Sequence, residues 1–586
     1  MGARAWLLPI LLSAGCSADR ATPAGDTAGA AAAARAEAEW FTDRAGEAGL
    51  DFLHDNGMSG RFYFPEMMGP GAAVLDYDND GDLDVYLVQG RMLGLPGQLQ
   101  QTAFPPRDPA ARGDRLFRND LTVQEDGSRA PHFTDVTDQS GIVSSGYGMG
   151  VAAGDVNNDG CVDLYLTKFG RNQLLRNNCD GTFTDISRRS RTDDEGWSVS
   201  AAFVDADRDG WLDLFVGHYV TYSLTSPTDC FSAAGRQDYC SPGAFRPQPS
   251  RLLHNNRDGT FSDITARAGL AGPFGPTLGV VAADFNTDGW ADLYVANDGR
   301  ENQLWMNERN GTFTNTGLLS GSALTAAGKA TGSMGVDAAD FDGDGHDDLL
   351  VTTLVGEGSS LFVNSGSGMF LDQGTRSGLR PGSLGYTGFG AGALDFDNDG
   401  WLDVLSVNGA VRTIDALADA GDPFPLSQRK QLFRNAGAGR FEDVTAGAGA
   451  VLHAMEVSRG AAFGDIDNDG DVDVVVANNR GRARLLMNTM GSRNHWIGLR
   501  LVDTTGRDML GARAGIVKDG TTTLWRRARS DGSYASANDP RVLAGLGSSP
   551  SPALKVQVAW PDGRAETWDA VPVDRYTTLT QGRAHK

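Results

Sequence analysis

The chain has 586 residues, too many for one ordinary core and enough for a long repeat array plus a small second domain. Glycine supplies 77 of them without a three-residue period, which excludes a collagen-like rod. The formal charge is −24; so acidic a chain repels phosphate backbones, which excludes nucleic acid as its main partner, and no apolar run of about 18 residues exists to form a spanning helix.

The N-terminus begins with Arg4, an apolar run from Ala5 to Leu12, and Ser13-Ala14-Gly15-Cys16. This order of charge, apolar stretch and small residues predicts a secretory signal over 1–16. It resembles a bacterial lipoprotein signal in which Cys16 is lipidated, although Ser13 stands where leucine is usual. Residues 17–39, rich in Ala, Gly, Thr and Asp, read as a flexible tether. The expectation is an exported protein that is held at a bacterial membrane or cell surface by a lipid anchor, or is otherwise periplasmic or secreted.

From residue 40 onward one segment recurs seven times, D-x-[DN]-x-D-G-x-x-D. Its nine positions hold Asp76, Asp78, Asp80, Asp82 and Asp84 in the first copy, and Asp155, Asn157, Asp159, Cys161 and Asp163 in the second. The third has Asp205, Asp207, Asp209, Trp211 and Asp213, and the fourth Asp284, Asn286, Asp288, Trp290 and Asp292. The fifth has Asp340, Asp342, Asp344, His346 and Asp348, and the sixth Asp395, Asp397, Asp399, Trp401 and Asp403. The seventh has Asp465, Asp467, Asp469, Asp471 and Asp473. A small-residue run precedes each copy and an aliphatic run follows it. An L-x-x-N element then ends at Asn119, Asn177, Asn255, Asn307, Asn364, Asn435 and Asn488, and a Phe-led strand begins at Phe41, Phe133, Phe183, Phe261, Phe313, Phe370 and Phe441.

Four strand-like pieces per unit and seven units predict an all-β fold, a seven-bladed β-propeller over 40–492. The orphan Phe41 strand is expected to complete the last blade and close the propeller. Residues 493–582 predict a small C-terminal β domain.

The repeated loops carry the strongest chemical signal. Oxygen ligands at positions 1, 3, 5 and 9, with the position 7 carbonyl and a glycine at position 6, suit Ca²⁺, which takes six to eight oxygens. Position 12 lies inside a strand, so these are not EF-hands. Up to seven Ca²⁺ are expected. Asp-Asn-Asp-Gly is also a good turn, but seven copies with four fixed positions exceed what turn chemistry requires.

These loops resemble the FG-GAP/VCBS-type repeats of integrin α propellers and of the cartilage acidic protein 1-like family. Gly511-Ala512-Arg513, Ser530-Asp531-Gly532-Ser533-Tyr534, Gly545-Leu546-Gly547 and Trp560-Pro561-Asp562-Gly563 resemble the ASPIC/UnbV domain that follows such propellers. The resemblance implies a secreted or cell-surface calcium-binding propeller, generally non-catalytic, and does not name a ligand. His54 and Glu66 lie where the family often has similar residues, and a lone His there reads as a turn or packing residue.

No catalytic motif for serine hydrolysis, zinc proteolysis or phosphate transfer is present. The expectation is a binding or adhesion module for a protein or carbohydrate ligand. The alternative is a calcium-dependent polysaccharide lyase-like enzyme. Besides Cys16, the four cysteines suggest two disulfides, Cys230–Cys240 and Cys161–Cys179. Long insertions at roughly 90–114, 217–250 and 408–430 should lie opposite the acidic loops. Tyr219, Tyr222, Phe231, Tyr239 and Phe245 in the middle one are expected to form an exposed partner surface; the alternative is that they pack down on the propeller as the core a long loop needs.

Overall fold

The computed structural model describes Gly2 and residues 39–94, 113–124, 127–225, 229–232, 234–272, 274–518 and 520–584. The expected signal, the lipidation site Cys16 and nearly all of the tether lie outside the described residues. Among the described residues, no helix is long and apolar enough to cross a membrane.

The repeat sequence produces short antiparallel strands in chain order. In the first unit, Ala72–Leu75 pairs with Asp84–Leu87, which pairs with Arg115–Asn119 and then with Phe133–Asp135. All four residues of the first strand are buried, which the Ala-Ala-Val-Leu sequence allows. Its neighbour Asp84–Leu87 is equally buried, so it reads as a continuous apolar run after the aspartate rather than as an alternation. Side chains between adjacent sheets supply the core, as in the cluster of Val74, Val85, Leu87 and Phe117 with Ala462, Val475 and Leu485.

The expectation of a closed seven-bladed propeller is corrected here. The β-structure is a set of small antiparallel sheets with one open, strongly curled sheet of eight strands. The large sheet exists because Asp163–Arg171 and Glu195–Val204 outrun their counterparts, at nine and ten residues. Their extra residues pair with each other, Glu195 opposite Arg171 and Trp197 opposite Phe169. Backbone groups that separate blades would leave at an edge are thereby hydrogen-bonded across two units. The first strand, Phe41–Asp43, pairs with Arg484–Asn488 in a four-stranded sheet.

The C-terminal domain has two sheets. His495–Val502 lies between Val542–Gly547 and Tyr576–Thr580, and the second sheet runs in the order Thr523–Arg527, Arg513–Val517, Ala553–Ala559, Ala565–Pro572. Strand Ala553–Ala559 alternates buried Leu554, Val556 and Val558 with exposed Lys555 and Gln557, the pattern of a sheet with one wet face.

One segment of this domain leaves it and runs among the first strands of the repeat units. Ala537 N–H donates to the Ala72 carbonyl at 2.9 Å, and the Ala535 carbonyl accepts from Val151 N–H at 3.1 Å. The Ser533 carbonyl accepts from Val336 N–H at 3.0 Å. Ser530 Oγ donates to the Ala153 carbonyl at 2.6 Å and Ser533 Oγ to the Ala461 carbonyl at 2.7 Å. The small residues that precede each acidic loop make this approach possible. A Cβ on Gly71 would stand 1.8 Å from the Ala535 carbonyl oxygen.

Tyr534 sits at the centre of this segment, fully buried, its ring 4.8 Å from that of Phe389 and its hydroxyl donating to the Met68 carbonyl at 2.9 Å. Tyr534→Ala is expected to destabilise the repeat region as well as the C-terminal domain, by about 3–5 kcal/mol. Urea unfolding followed separately in the two regions checks this. Loss confined to the C-terminal domain would show that the segment does not support the repeats.

Candidate metal centre

The acidic loops are built from the ninth position outward. Its aspartate is buried in every unit, from 0 to 1% exposed. One oxygen accepts from the position 2 N–H, as in Tyr77 to Asp84 at 3.0 Å, Phe285 to Asp292 at 3.0 Å and Ile466 to Asp473 at 3.0 Å. The other accepts from the N–H of the L-x-x-N asparagine, 2.7–2.8 Å away in all seven units. Each asparagine side chain then donates to a position 2 carbonyl in another loop, as Asn177 does to Tyr77 at 2.7 Å and Asn119 to Ile466 at 3.0 Å. The two sequence motifs are thus halves of one hydrogen-bonded unit.

The rest of the loop is organised by its own carboxylates. Position 1 accepts from the glycine N–H at position 6, at 2.8 Å in Asp155 and 2.9 Å in Asp395. Position 5 accepts from the position 7 N–H, as in Trp211 to Asp209 at 2.8 Å and His346 to Asp344 at 2.9 Å. Gly81, Gly160, Gly210, Gly289, Gly345, Gly400 and Gly470 all have φ between 80° and 103°, the left-handed region where glycine costs least.

This folding leaves other carboxylate oxygens facing one another. Carboxylates of Asp76, Asp78 and Asp84 lie within 4.8 Å of each other, as do those of Asp340, Asp342 and Asp344 and those of Asp395, Asp397 and Asp399. Asp76 Oδ1, Asp78 Oδ1, Asp397 Oδ1, Asp467 Oδ1 and Asp471 Oδ1 are buried without any hydrogen-bond partner. A buried oxygen with no donor is costly. An all-oxygen donor set with such orphans fits a hard divalent cation such as Ca²⁺. Position 9 can take part although both its oxygens accept N–H groups, because each carboxylate oxygen has a second lone pair.

Burial, reinforced by neighbouring carboxylates, raises the position 1 aspartates. Asp76 and Asp340 are pushed up to about 6, and Asp205, Asp395 and Asp465 to about 7. The units differ in what offsets their charge. Arg257 pairs with Asp209 at 2.6 Å, Arg309 with Asp288 at 2.8 Å and Arg434 with Asp397 at 3.1 Å. In the second unit Cys179, two residues past its asparagine like Arg257 and Arg309, is joined by a disulfide to Cys161 at position 7. The hairpin is therefore stapled to its loop by a covalent bond where its relatives use an ion pair. Asn157 and Asn286 each lower the carboxylate count of their loops.

The C-terminal domain supplies partners that the sequence did not reveal. Tyr576 Oη donates to Asp465 Oδ2 at 2.9 Å, and Arg507 donates to Asn158 Oδ1 and to the Gly210 carbonyl, both at 2.7 Å. Arg526 donates to the Gly400 carbonyl at 2.9 Å, and Arg527 pairs with Asp347 at 3.3 Å. The available signal was charge. Residues 494–586 carry a net +4 against −28 for the rest of the chain.

The expected partner aromatics are corrected. Tyr219 and Tyr239 are buried, and Tyr222 and Phe245 are half-buried against Phe64, Trp197 and Tyr147. Tyr219 Oη donates to Asp298 at 2.7 Å and Tyr239 Oη to Glu66 at 3.3 Å. A long insertion needs a core, and these rings provide it. Of the five, only Phe231 is exposed, at 63%. The Cys230–Cys240 disulfide closes the loop beside it. Arg236 pairs with Asp419 of the next insertion, and Asp238 accepts from Thr413 N–H at 3.1 Å, so the two insertions are tied together.

His54 and Glu66 are buried too. Burial and the Arg459 charge lower His54 to about 3, and burial raises Glu66 to about 8, so both are neutral near pH 7. They serve packing: Glu66 accepts from Ser59 N–H and Oγ, each at 3.2 Å.

Comparison with known proteins agrees with this geometry. The FG-GAP-like repeat model matches residues 155–216, 229–295, 284–351 and 425–505, and the ASPIC and UnbV model matches 503–586. Cartilage acidic protein 1 of Mus musculus is 26% identical over 309 residues, 52% of this chain and 44% of that protein. The Homo sapiens protein is 30% identical over 169 residues, 28% of this chain and 24% of that protein. The matches therefore span less than half the length of these relatives. A rhamnogalacturonan lyase PL11 of Bacillus licheniformis aligns over 89% of this chain and 92% of its own at 15% identity, with a TM-score of 0.30, too low to carry an argument.

Two outcomes follow from the loops. Asp213→Asn leaves one of two buried N–H groups without an acceptor and should cost about 1–3 kcal/mol with or without calcium. Asp342→Asn should reduce the calcium-dependent part while easing repulsion in the metal-free loop, so its loss appears in calcium and not in EDTA. Denaturant unfolding in EDTA and in calcium separates them. Metal-free protein should also lose stability as pH rises. Carboxyls raised to about 6–7 in the folded state stabilise it below the ordinary range near 4, and that gain disappears as pH climbs through 6–7. Calcium should reverse the trend; a pH-independent melting temperature in EDTA would contradict the account.

Proposed function

The chain is an FG-GAP/VCBS-repeat protein with a C-terminal ASPIC/UnbV domain, related to cartilage acidic protein 1, and from that premise we propose that it is an exported, non-catalytic binding module stabilised by calcium. The observation that carries the reading is the set of buried carboxylate oxygens without partners in loops whose other carboxylate oxygens accept backbone N–H groups. Up to seven Ca²⁺ bind, one per loop, through positions 1, 3, 5 and 9 and the position 7 carbonyl. The loop with Asn286 and the Arg309–Asp288 pair holds its ion most weakly, having one carboxylate fewer and a competing cation.

The acidic loops join the first and second strands of a unit, and the long insertions join the second and third. The insertions therefore stand at the other end of the second strand, as His218 does relative to Asp213. A protein or carbohydrate ligand binds there. Phe231 is the exposed aromatic contact, and the tied insertions around it form a supported platform.

EDTA should lower the melting temperature of the full chain and calcium restore it; unchanged unfolding would overturn the calcium reading. A glycan array and pull-down with calcium-loaded protein should identify a ligand whose binding falls in Phe231→Ala while the melting temperature stays. Deleting the whole insertion is a poorer test, since Tyr219 and Tyr239 belong to the core. Turnover of a uronate-containing polysaccharide by the same protein would contradict the non-catalytic role.

A further inference from the structure

The loop 465–473 combines three features that no other loop brings together among the described residues. It has a fifth carboxylate, Asp471, at a position whose side chain elsewhere, Asp82 apart, is no carboxylate. It is roofed by the C-terminal domain. Asp465 is 1% exposed, and Asp471 and Asp473 are fully buried. A Cβ on Gly470 would stand 1.8 Å from Trp496 Cε2, so the indole lies directly on the loop backbone. The Trp496 ring is 5.3 Å from that of Tyr576, whose hydroxyl donates to Asp465 Oδ2 at 2.9 Å.

The third feature is the fate of its carboxylates, two of which keep orphaned oxygens, as two do in the loop 76–84. Asp473 is used by Ile466 and Asn488 N–H groups, at 3.0 and 2.8 Å. Asp471 Oδ2 accepts from Ser492 N–H at 2.9 Å, in the turn that leads into the C-terminal domain. Its Oδ1 has no partner, and neither has Asp467 Oδ1. The nearby guanidinium is committed elsewhere: Arg541 pairs with Asp539 at 2.8 Å and donates to the Asp465 carbonyl and to Asn468 Oδ1, at 2.9 and 2.6 Å. Five carboxylates in nine residues, two with orphaned buried oxygens, thus face one another under an aromatic roof.

We propose that this loop is an interdomain clamp: a divalent, oxygen-seeking cation held by Asp467, Asp469 and the Asp471 side chain beneath Trp496 and Tyr576, which locks the C-terminal domain onto the repeat region. The proposal rests on the calcium reading of the loops and adds a separate role for one of them. The ion neutralises carboxylates that would otherwise repel one another beneath the chain entering the C-terminal domain. Ser492 is bonded to one of the carboxylates, so loss of the ion loosens the turn at 490–493 and the roof with it. Because the roof must move before the ion escapes, this ion is the last to leave.

The test uses the full chain loaded with CaCl₂. Metal content is measured during timed exposure to a chelator, and hydrogen exchange is followed in peptides covering 490–498 and 573–578. Wild type should retain one slowly released Ca²⁺ per chain. Asp471→Asn should lose that slow fraction, and both peptides should exchange several-fold faster in calcium, while the 205–213 peptide is unchanged. Tyr576→Phe removes only a hydroxyl. It should keep the ion count but release the slow ion faster, so it carries the test if Asp471→Asn does not fold. An unchanged slow fraction in either folded variant overturns the clamp. Wild type that binds no calcium at all would instead overturn the reading of every loop.

Discussion

Everything in the repeat region depends on a buried aspartate that accepts two backbone N–H groups. In each unit the ninth-position carboxylate holds the entrance of its own loop with one oxygen and the end of the third strand with the other. An isolated carboxylate would not be buried this deeply, and the two N–H donors supply much of what water would have given. The arrangement fixes the loop's first residues relative to the sheet, and positions 1, 3 and 5 then have little choice but to face inward. The convergence of carboxylates that suits a cation is a consequence of a folding interaction.

That consequence is costly without a cation. Burial and mutual repulsion push several of these carboxyls up to about 6–7, so near neutral pH the metal-free loop is poised between protonation and repulsion. The protein manages the charge in different ways around the repeats. Arginines serve three units, a disulfide reinforces another, and the positive C-terminal domain lays its guanidinium groups on loop carbonyls. The seventh loop matches the first in its five carboxylates and adds the deeper cover, which places a strong demand for an external charge at the junction between the two parts of the chain.

The acidic loops and the strand order within a unit were legible in the sequence because each rests on short-range spacing. The D-x-[DN]-x-D-G-x-x-D register recurs with Asp84 and its six counterparts in the same place, and the short aliphatic runs after them read as strands. Sheet continuity was not legible. Whether Glu195–Val204 stops short or pairs with Phe169–Arg171 depends on a few extra extended residues, and no motif marks them. The aromatics of the middle insertion were misjudged for a similar reason. Tyr219 and Tyr239 look like surface anchors in a polar loop, and only the three-dimensional neighbourhood of Phe64, Trp197 and Glu66 shows that they are core. Ser530 to Tyr534 was recognisable as a motif, but its course among the small-residue strands could be read only in retrospect, from the glycines and alanines that make room for it.

The most direct measurement is anomalous X-ray diffraction from crystals of the full chain grown in calcium. The account predicts anomalous peaks among the carboxylates of positions 1, 3 and 5 in the acidic loops, with the peak at 465–473 enclosed by Asp467, Asp469 and Asp471. Well-ordered loops without such peaks in saturating calcium would contradict it.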